Sequence, residues 1–209
     1  MSASNPASAS ESRREHLSFF RQSGWMLIAN GLAGVLFTLA NNPAGQIARI
    51  PEVGKAEFAT FGSLLDSLIL LGLPAGGLQA VLAQTASAAV DDASRGRLRA
   101  TIRTVLIAVV VAWIVLAAGT WAAQSSVLSI FRIANPWALV FTLGTVLVGL
   151  VYPVFAGVLQ GTQNFMGRGN SAISSGAGRL AGVTVAVALL GHLAAGAMAG
   201  VLFGSLTAL

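Results

Sequence analysis

The sequence predicts an all-α, polytopic transmembrane bundle of about six helices, and three observations predict it. No Asp, Glu, Lys or Arg occurs between Arg103 and Arg132, between Arg132 and Arg168, or from Leu180 to the last residue. Only 9% of the 209 residues are charged, against about 25% in soluble domains. Hydrophobic residues make up 55% of the chain, and mean hydropathy is +0.77. A helix crosses a hydrocarbon core about 30 Å thick with about 20 mostly apolar residues. A central Asp, Lys or Arg costs about 2.5–3.5 kcal/mol, so the charge-free stretches mark membrane. A soluble chain of this length would have to bury nearly all of that apolar surface, which its surface-to-volume ratio forbids.

The elements follow in order. Residues 1–17 are expected to be a disordered or interfacial cytoplasmic tail: residues 1–10 are small and polar. Ser12-Arg13-Arg14-Glu15 has capping-box spacing for a short interfacial helix. Residues 18–209 form the membrane lobe. Span one runs from about residue 24 to 39, extending toward 50, with Asn41-Asn42-Pro43-Ala44-Gly45 as punctuation. This apolar stretch is too long for a signal-peptide core and is read as a retained helix. Span two covers about 58–83, interrupted by Asp66 and kinked at Pro74 among glycines. Span three covers 102–123. Span four opens at Asn135-Pro136, an N-cap followed by proline at the first helical position, and continues to about 159 with a kink at Pro153. The remainder is too long for one crossing, and a turn at Gly191-His192 divides it into spans at 171–190 and 193–209.

Basic residues set the orientation. Arg13, Arg14, Arg21, Arg95, Arg97, Arg99, Arg103 and Arg168 fall on one side, against Arg49, Lys55 and Arg132 on the other. Eight against three places the N-terminus, and with six spans the C-terminus, in the cytoplasm. The surplus of bases, a net charge of +5, reads as anchoring beside anionic lipid rather than nucleic-acid binding. Trp25, Trp121 and Trp137 lie near span ends, as an aromatic belt requires, and Trp113 does not. Small residues recur every fourth position at Gly72/Gly76, Gly157/Gly161, Gly178/Gly182 and Gly196/Gly200/Gly204, where helices pack closely in lipid.

An ionisable residue inside the membrane is a functional candidate by default, and Asp66 and Arg179 qualify. They either pair with each other and hold helices two and five together, or line an aqueous cavity. In that cavity Arg179 takes phosphate or carboxylate and Asp66 is the counter-charge or a proton or cation site. Asn30, Gln79 and Gln160 are further cavity candidates, because each is costly to expose to lipid; interhelical hydrogen bonding is the competing explanation. The absence of cysteine excludes disulfides, thiol catalysis and Cys-based metal sites. No paired carboxylates, HExxH or Ser/His/Asp order points to an enzyme, and no metal or cofactor is expected. The stretch from Gly161 to Gly169 lacks the spacing and preceding strand of a phosphate loop. Asp91-Asp92 reads as solvated loop.

The order of features resembles the amino-terminal half of polysaccharide-export flippases, in the multidrug/oligosaccharidyl-lipid/polysaccharide superfamily. The resemblance rests on Glu57-Phe58-Ala59-Thr60-Phe61-Gly62 opening the second helix and on the kink between Gly72 and Gln79. It continues in the basic loop before helix three, Gly157-Val158-Leu159-Gln160-Gly161, Phe165 and Arg179-Leu180. It covers residues 18–209. It implies one lobe of a twelve- to fourteen-helix transporter of the bacterial inner membrane, in which two six-helix lobes flank a cationic cavity. Such proteins are thought to flip undecaprenyl-pyrophosphate-linked sugar units, for lipopolysaccharide or exopolysaccharide export, by alternating access. Arg179 would then belong to the cationic wall, and Asp66 would be a polar cavity position or coupling-ion site. The sequence departs from the pattern by stopping after one lobe, at Leu209; a truncated product, or a second lobe from another copy or another protein, is the expectation. A drug or cation antiporter of the same fold, using Asp66, and a non-transporting membrane scaffold are the alternatives.

Overall fold

In the computed structural model the described residues are 6–188 and 193–209, with side chains described from residue 23 onward. All regular structure among them is helical: α1 Pro6–Ile47, α2 Gly54–Ser87, α3 Asp92–Ala122, α4 Gln124–Ile130, α5 Trp137–Gly161, α6 Phe165–Ala188 and α7 Ala194–Leu206. The turn expected at Gly191-His192 lies outside the described residues.

Four helical stretches are long and apolar enough to cross a membrane: Ser23–Ile47, Gly54–Ser87, Asp92–Ala122 and Trp137–Gly161. The expected fifth and sixth spans differ from these. The 24-residue α6 has the length, about 36 Å at 1.5 Å per residue, but carries two arginines and many Gly and Ser. The 13-residue α7 rises only about 20 Å, too short to cross.

Local chemistry sets the helix boundaries. α1 is described from Pro6, so Ser12–Glu15 lies inside a helix rather than opening one. It also runs through Pro43, past the expected stop, because Ala40, Ala44 and Ile47 on its last turns are buried in the core. The extra packing offsets the backbone bond that Pro43 cannot make. α3 begins at a full capping box: Asp91 Oδ1 accepts from Ser94 N at 3.3 Å, and Ser94 Oγ accepts from Asp91 N at 3.1 Å. The Ser94 side chain foremost, with backbone N–H groups adding to it, holds the Asp91 carboxyl below the usual aspartate range. Asn135 does cap the α5 start, its Oδ1 accepting from Trp137 N at 3.1 Å. α5 ends in a Schellman turn, with Asn164 N bonded to Leu159 O and Gln163 N to Gln160 O. Gln163 takes the left-handed position there, at φ 57°, where glycine is the usual choice. Asn164 then caps α6 by accepting from Gly167 N at 2.9 Å, so the Gly161–Gly169 stretch is an interhelical turn.

Glycine decides which helices touch. A Cβ on Gly157 would lie 2.6 Å from Gln79 O, and one on Gly161 would lie 2.3 Å from Ala83 O, so α5 rests on the α2 backbone. A Cβ on Gly200 would meet Val183 N at 2.3 Å, and one on Gly204 would meet Arg179 N at 2.4 Å, joining α7 to α6 just as closely. Gly169 and Gly176 of α6 face Ala29 and Ala33 of α1. Gly72 and Gly76 have nothing within 4 Å and make no such contact.

α7 is the hub of the core. Ala194, Ala195, Ala197, Met198 and Val201 cluster with Ile47 of α1, Phe61 and Leu64 of α2, Leu139 of α5 and Val183 of α6. α3 is peripheral and buries no side chain, as befits a helix sheathed in acyl chains. It is tied to α5 where Trp113 Nε1 donates to Leu143 O at 2.8 Å, which explains a tryptophan away from the expected belt.

Two outcomes check this packing. Gly200→Ala should lower stability in detergent by about 1–3 kcal/mol, since backbone cannot yield as a side chain does. Gly72→Ala should be neutral or stabilising by up to about 1 kcal/mol; equal effects would refute the assignment of contacts. Because the folded Asp91 carboxyl is lowered, its capping contribution is present above the unfolded-state value and lost as pH falls through the folded one. Amide exchange at Ser94 and Arg95 should accelerate on that acid limb, beyond the intrinsic rate, and Asp91→Ala should remove the pH dependence.

Candidate functional site

The small residues that let helices approach also leave a void. A cavity of about 310 Å³ lies between α1, α5, α6 and α7, with Asn30, Phe37, Tyr152, Arg168, Ser175 and Ser205 as its larger or polar lining groups. Alanine and glycine form the rest of the wall, among them Ala33, Gly34, Gly149 and Ala172. Helical periodicity assembles it: positions 30, 33, 34 and 37 share one face of α1, and 168, 172 and 175 one face of α6.

Among the described residues, Arg168 is the only basic or acidic residue in that wall. It sits in the first turn of α6, immediately after the Asn164 cap. Its Nη1 donates to the Tyr152 hydroxyl, and its guanidinium carbon is 5.2 Å from the Tyr152 ring centroid. The Ser171 hydroxyl lies 3.4 Å from the same phenol oxygen and donates to the Ala208 carbonyl just past α7. Tyr152 of α5 therefore holds the guanidinium, and Ser171 ties that phenol to the backbone just past α7. A guanidinium has five N–H donors in a planar fork, and those not spent on Tyr152 suit a phosphate or carboxylate. The Asn30, Ser175 and Ser205 side chains add neutral hydrogen-bonding groups.

Of the sequence-predicted residues, Asn30 lines this cavity. Arg179 is on the same stripe of α6, one turn beyond Ser175, and is absent from the lining. Its guanidinium lies over the Phe37 ring at 5.2 Å, and its buried Nε has no partner. Tyr152 and Phe37 both line the cavity, so each aromatic ring in the wall carries an arginine. Arg168 and Arg179 are eleven residues apart (179 minus 168), about 16 Å along the axis. Asp66 is exposed on α2, with no hydrogen bond or ion pair among the described residues. It does not meet Arg179: α2 packs on α5, whereas α6 packs on α1 and α7. Gln79 and Gln160 are joined to each other, Nε2 to Oε1 at 3.0 Å, directly beside the Gly157 contact. They form an interhelical bond and are not part of this cavity's lining.

Reasoning from sequence passed over Arg168, Tyr152 and Glu57. Arg168 looked like a topological charge, but its spacing to Ala172, Ser175 and Arg179 is a helical stripe. Tyr152 is the chain's single tyrosine and stands within a span, away from either predicted boundary. Glu57, only 9% exposed, accepts from Ala194 N at 3.0 Å across the bundle, a contact that no local pattern announces. A second void of about 430 Å³, on the outer side of α6 and α7, is lined by Ala181, Gly182, Val185, Ala199, Gly200 and Phe203 and is wholly apolar, suited to lipid.

Double-mutant cycles separate these arrangements. Arg168→Gln and Tyr152→Phe should couple by about 0.5–3 kcal/mol in thermal unfolding, as groups in contact do. Asp66→Asn and Arg179→Gln should add within about 0.5 kcal/mol; stronger coupling would mean that the two charges touch. No family model, curated protein or solved structure matches this chain, so the chemistry of the site follows from its geometry alone.

Proposed function

We propose that this chain is a transporter lobe that moves lipid-linked oligosaccharide or polysaccharide repeat units across the bacterial cytoplasmic membrane by alternating access. The observation that carries the reading is the cavity wall whose one basic or acidic residue, among those described, is Arg168, braced on Tyr152. A pyrophosphate entering the membrane must exchange its hydration for fixed donors, and a braced guanidinium bordered by hydroxyl and amide groups supplies them. The sequence resemblance to polysaccharide-export flippases points the same way.

Cavity size supports a division of labour. About 310 Å³ is at the small end for ligand sites, enough for a phosphate-bearing head and too small for an oligosaccharide. The sugar then needs room from a second lobe. Among the described residues the lining has no carboxylate, and Asp66 is exposed and not part of it, which disfavours a cation antiporter. The charge asymmetry between connections supports a cytoplasmic N-terminus, with Arg168 entering from that side.

The test is flipping of a fluorescent polyprenyl-pyrophosphate sugar in proteoliposomes holding the purified chain. Arg168→Ala should slow translocation at least about tenfold at matched protein level, the cost of one charge-assisted contact. Arg168→Lys should keep part of the rate, because it retains charge and loses the fork. Normal flipping by Arg168→Ala, or uptake of an organic cation in place of the lipid, would overturn the proposal.

A further inference from the structure

α7 has two faces with different neighbours. Ser205 and Ala208 line the Arg168 cavity, whereas Gly196, Ala199 and Phe203 lie on the opposite side of the helix. Two voids open on that side. The larger, about 430 Å³, runs past Ala181 and Val185 of α6 to Phe203. The other, about 310 Å³, lies between Asn135, Trp137 and Phe141 at the start of α5 and the first turn of α7. Ala186 and Ala199 line both voids, so the two form one groove, about 12 Å long from Ala195 to Phe203 along α7.

The groove changes character along its length. Between Ala181 and Phe203 it is wholly apolar. Its other end lies where α5 and α7 begin and α6 finishes, and there it gains two aromatic rings and an amide. Trp137 is 61% exposed beside Phe141, with ring centroids 6.1 Å apart and planes tilted by 31°. Rings in mutual contact leave no slot between them for a flat ligand and make a single platform instead. Asn135 Oδ1 is taken by Trp137 N, which leaves the amide NH2 to donate. Among the described residues, none in either lining is Asp, Glu, Lys, Arg or His.

These properties select an occupant. An apolar trough with a polar mouth beside a tryptophan at a span end fits an amphipathic lipid, its tail inward and its head at the interface. A helix, about 10 Å across, is too thick for voids of this size, and an acyl chain is not. The mouth gives a phosphate no counter-charge, so the pyrophosphate lipid of the transport reading is not the occupant. A pyranose ring suits it: the C–H face of the sugar packs on the electron-rich face of the indole, and its hydroxyls accept from the Asn135 amide.

We propose that the α6–α7 groove binds an uncharged glycolipid, with an acyl chain along Ala181, Val185 and Phe203 and the sugar ring on the Trp137–Phe141 platform. The site is separate from the Arg168 cavity and does not rest on the transport reading.

The test is competition for the purified chain in a detergent without a sugar head, read by native mass spectrometry. The probes share one pair of acyl chains: monoglucosyl-diacylglycerol, diacylglycerol and phosphatidylglycerol. At equal concentrations the glycolipid should be retained, one copy per chain, about tenfold over either competitor, the worth of a stacked ring and a hydrogen bond. Trp137→Ala should lower the glycolipid to the level of diacylglycerol and leave diacylglycerol unchanged. Ala199→Leu, which fills the groove where its two parts join, should reduce both. Should that variant misfold, Ala181→Leu on the exposed rim serves, and octyl glucoside in excess must displace the glycolipid, not diacylglycerol, from the unsubstituted chain. Equal retention of the three lipids, a preference for phosphatidylglycerol, or a glycolipid preference that survives in Trp137→Ala overturns the proposal. A second copy of the chain seated on the groove and excluding all three lipids does so too. Arg168→Gln should leave the glycolipid in place, so loss of flipping with retention intact, or the reverse, tells the two proposals apart.

Discussion

A helix that begins inside a bundle must find partners for its first backbone N–H groups there, because lipid provides none. α7 is such a helix. At about 20 Å it cannot reach both membrane faces, and its first residues are among the most buried in the molecule: Ala194 is 2% exposed, Ala197 and Met198 0%. The Glu57 carboxylate takes the first of them, Ala194 N, and the principal core cluster packs on the turns that follow. The middle of α7 lies on the α6 backbone, and its last turn walls the cavity through Ser205 and Ala208.

The same economy of side chains makes both the packing and the site. Where two glycine faces meet, as at Gly182 and Gly200, backbones come into contact and helices associate without a solvent-driven hydrophobic force. Where small residues instead face a gap, as Ala33, Gly34, Gly149 and Ala172 do, the gap stays open. A gap with a charged group cannot remain dry, because an unsolvated ion is far costlier than a hydrated one. Arg168 therefore marks that void as aqueous or ligand-filled. The apolar groove outside α6 and α7 has no such group, and acyl chains suit it.

How much of this could be seen in the sequence depended on the range of the interaction. The long apolar helices were legible because hydropathy is local, and so was the Asn135 cap, which acts over two residues. The Gly157/Gly161 and Gly200/Gly204 contacts were legible as spacings, whereas the identical spacing at Gly72/Gly76 faces open space. A spacing shows which face is smooth and not what lies against it. The length of α7 was misjudged because Leu193–Leu209 is free of charge, with Ser205 and Thr207 as its hydroxyls, and composition alone does not show how much of such a stretch is helical. Gln79 and Gln160 were named as cavity groups because an amide within an apolar span signals a partner without identifying it; the partner was each other. Glu57 could not be found locally, since its partner is 137 residues away.

The two arginines of α6 show why depth alone is a poor guide to function. Arg179 is the more deeply set in sequence terms, farther from any polar connection, and attracts attention for that reason. Its guanidinium nevertheless has, among the described residues, only the Phe37 ring as partner, with Nε enclosed. Arg168 is near a helix end yet has what a binding group needs: a direction fixed by Tyr152, a void in front of it, and neutral donors and acceptors around that void. The rings supporting the two arginines both belong to the cavity wall, so positive charge flanks the void over about 16 Å of α6. Like charges so disposed raise the potential between them. On the proposed transport reading, an anionic head would sit at the middle of the wall, where Ser175 lies between the two arginines on the α6 stripe and Ser205 adds a hydroxyl from α7, with Arg168 as its contact and Arg179 acting through its field.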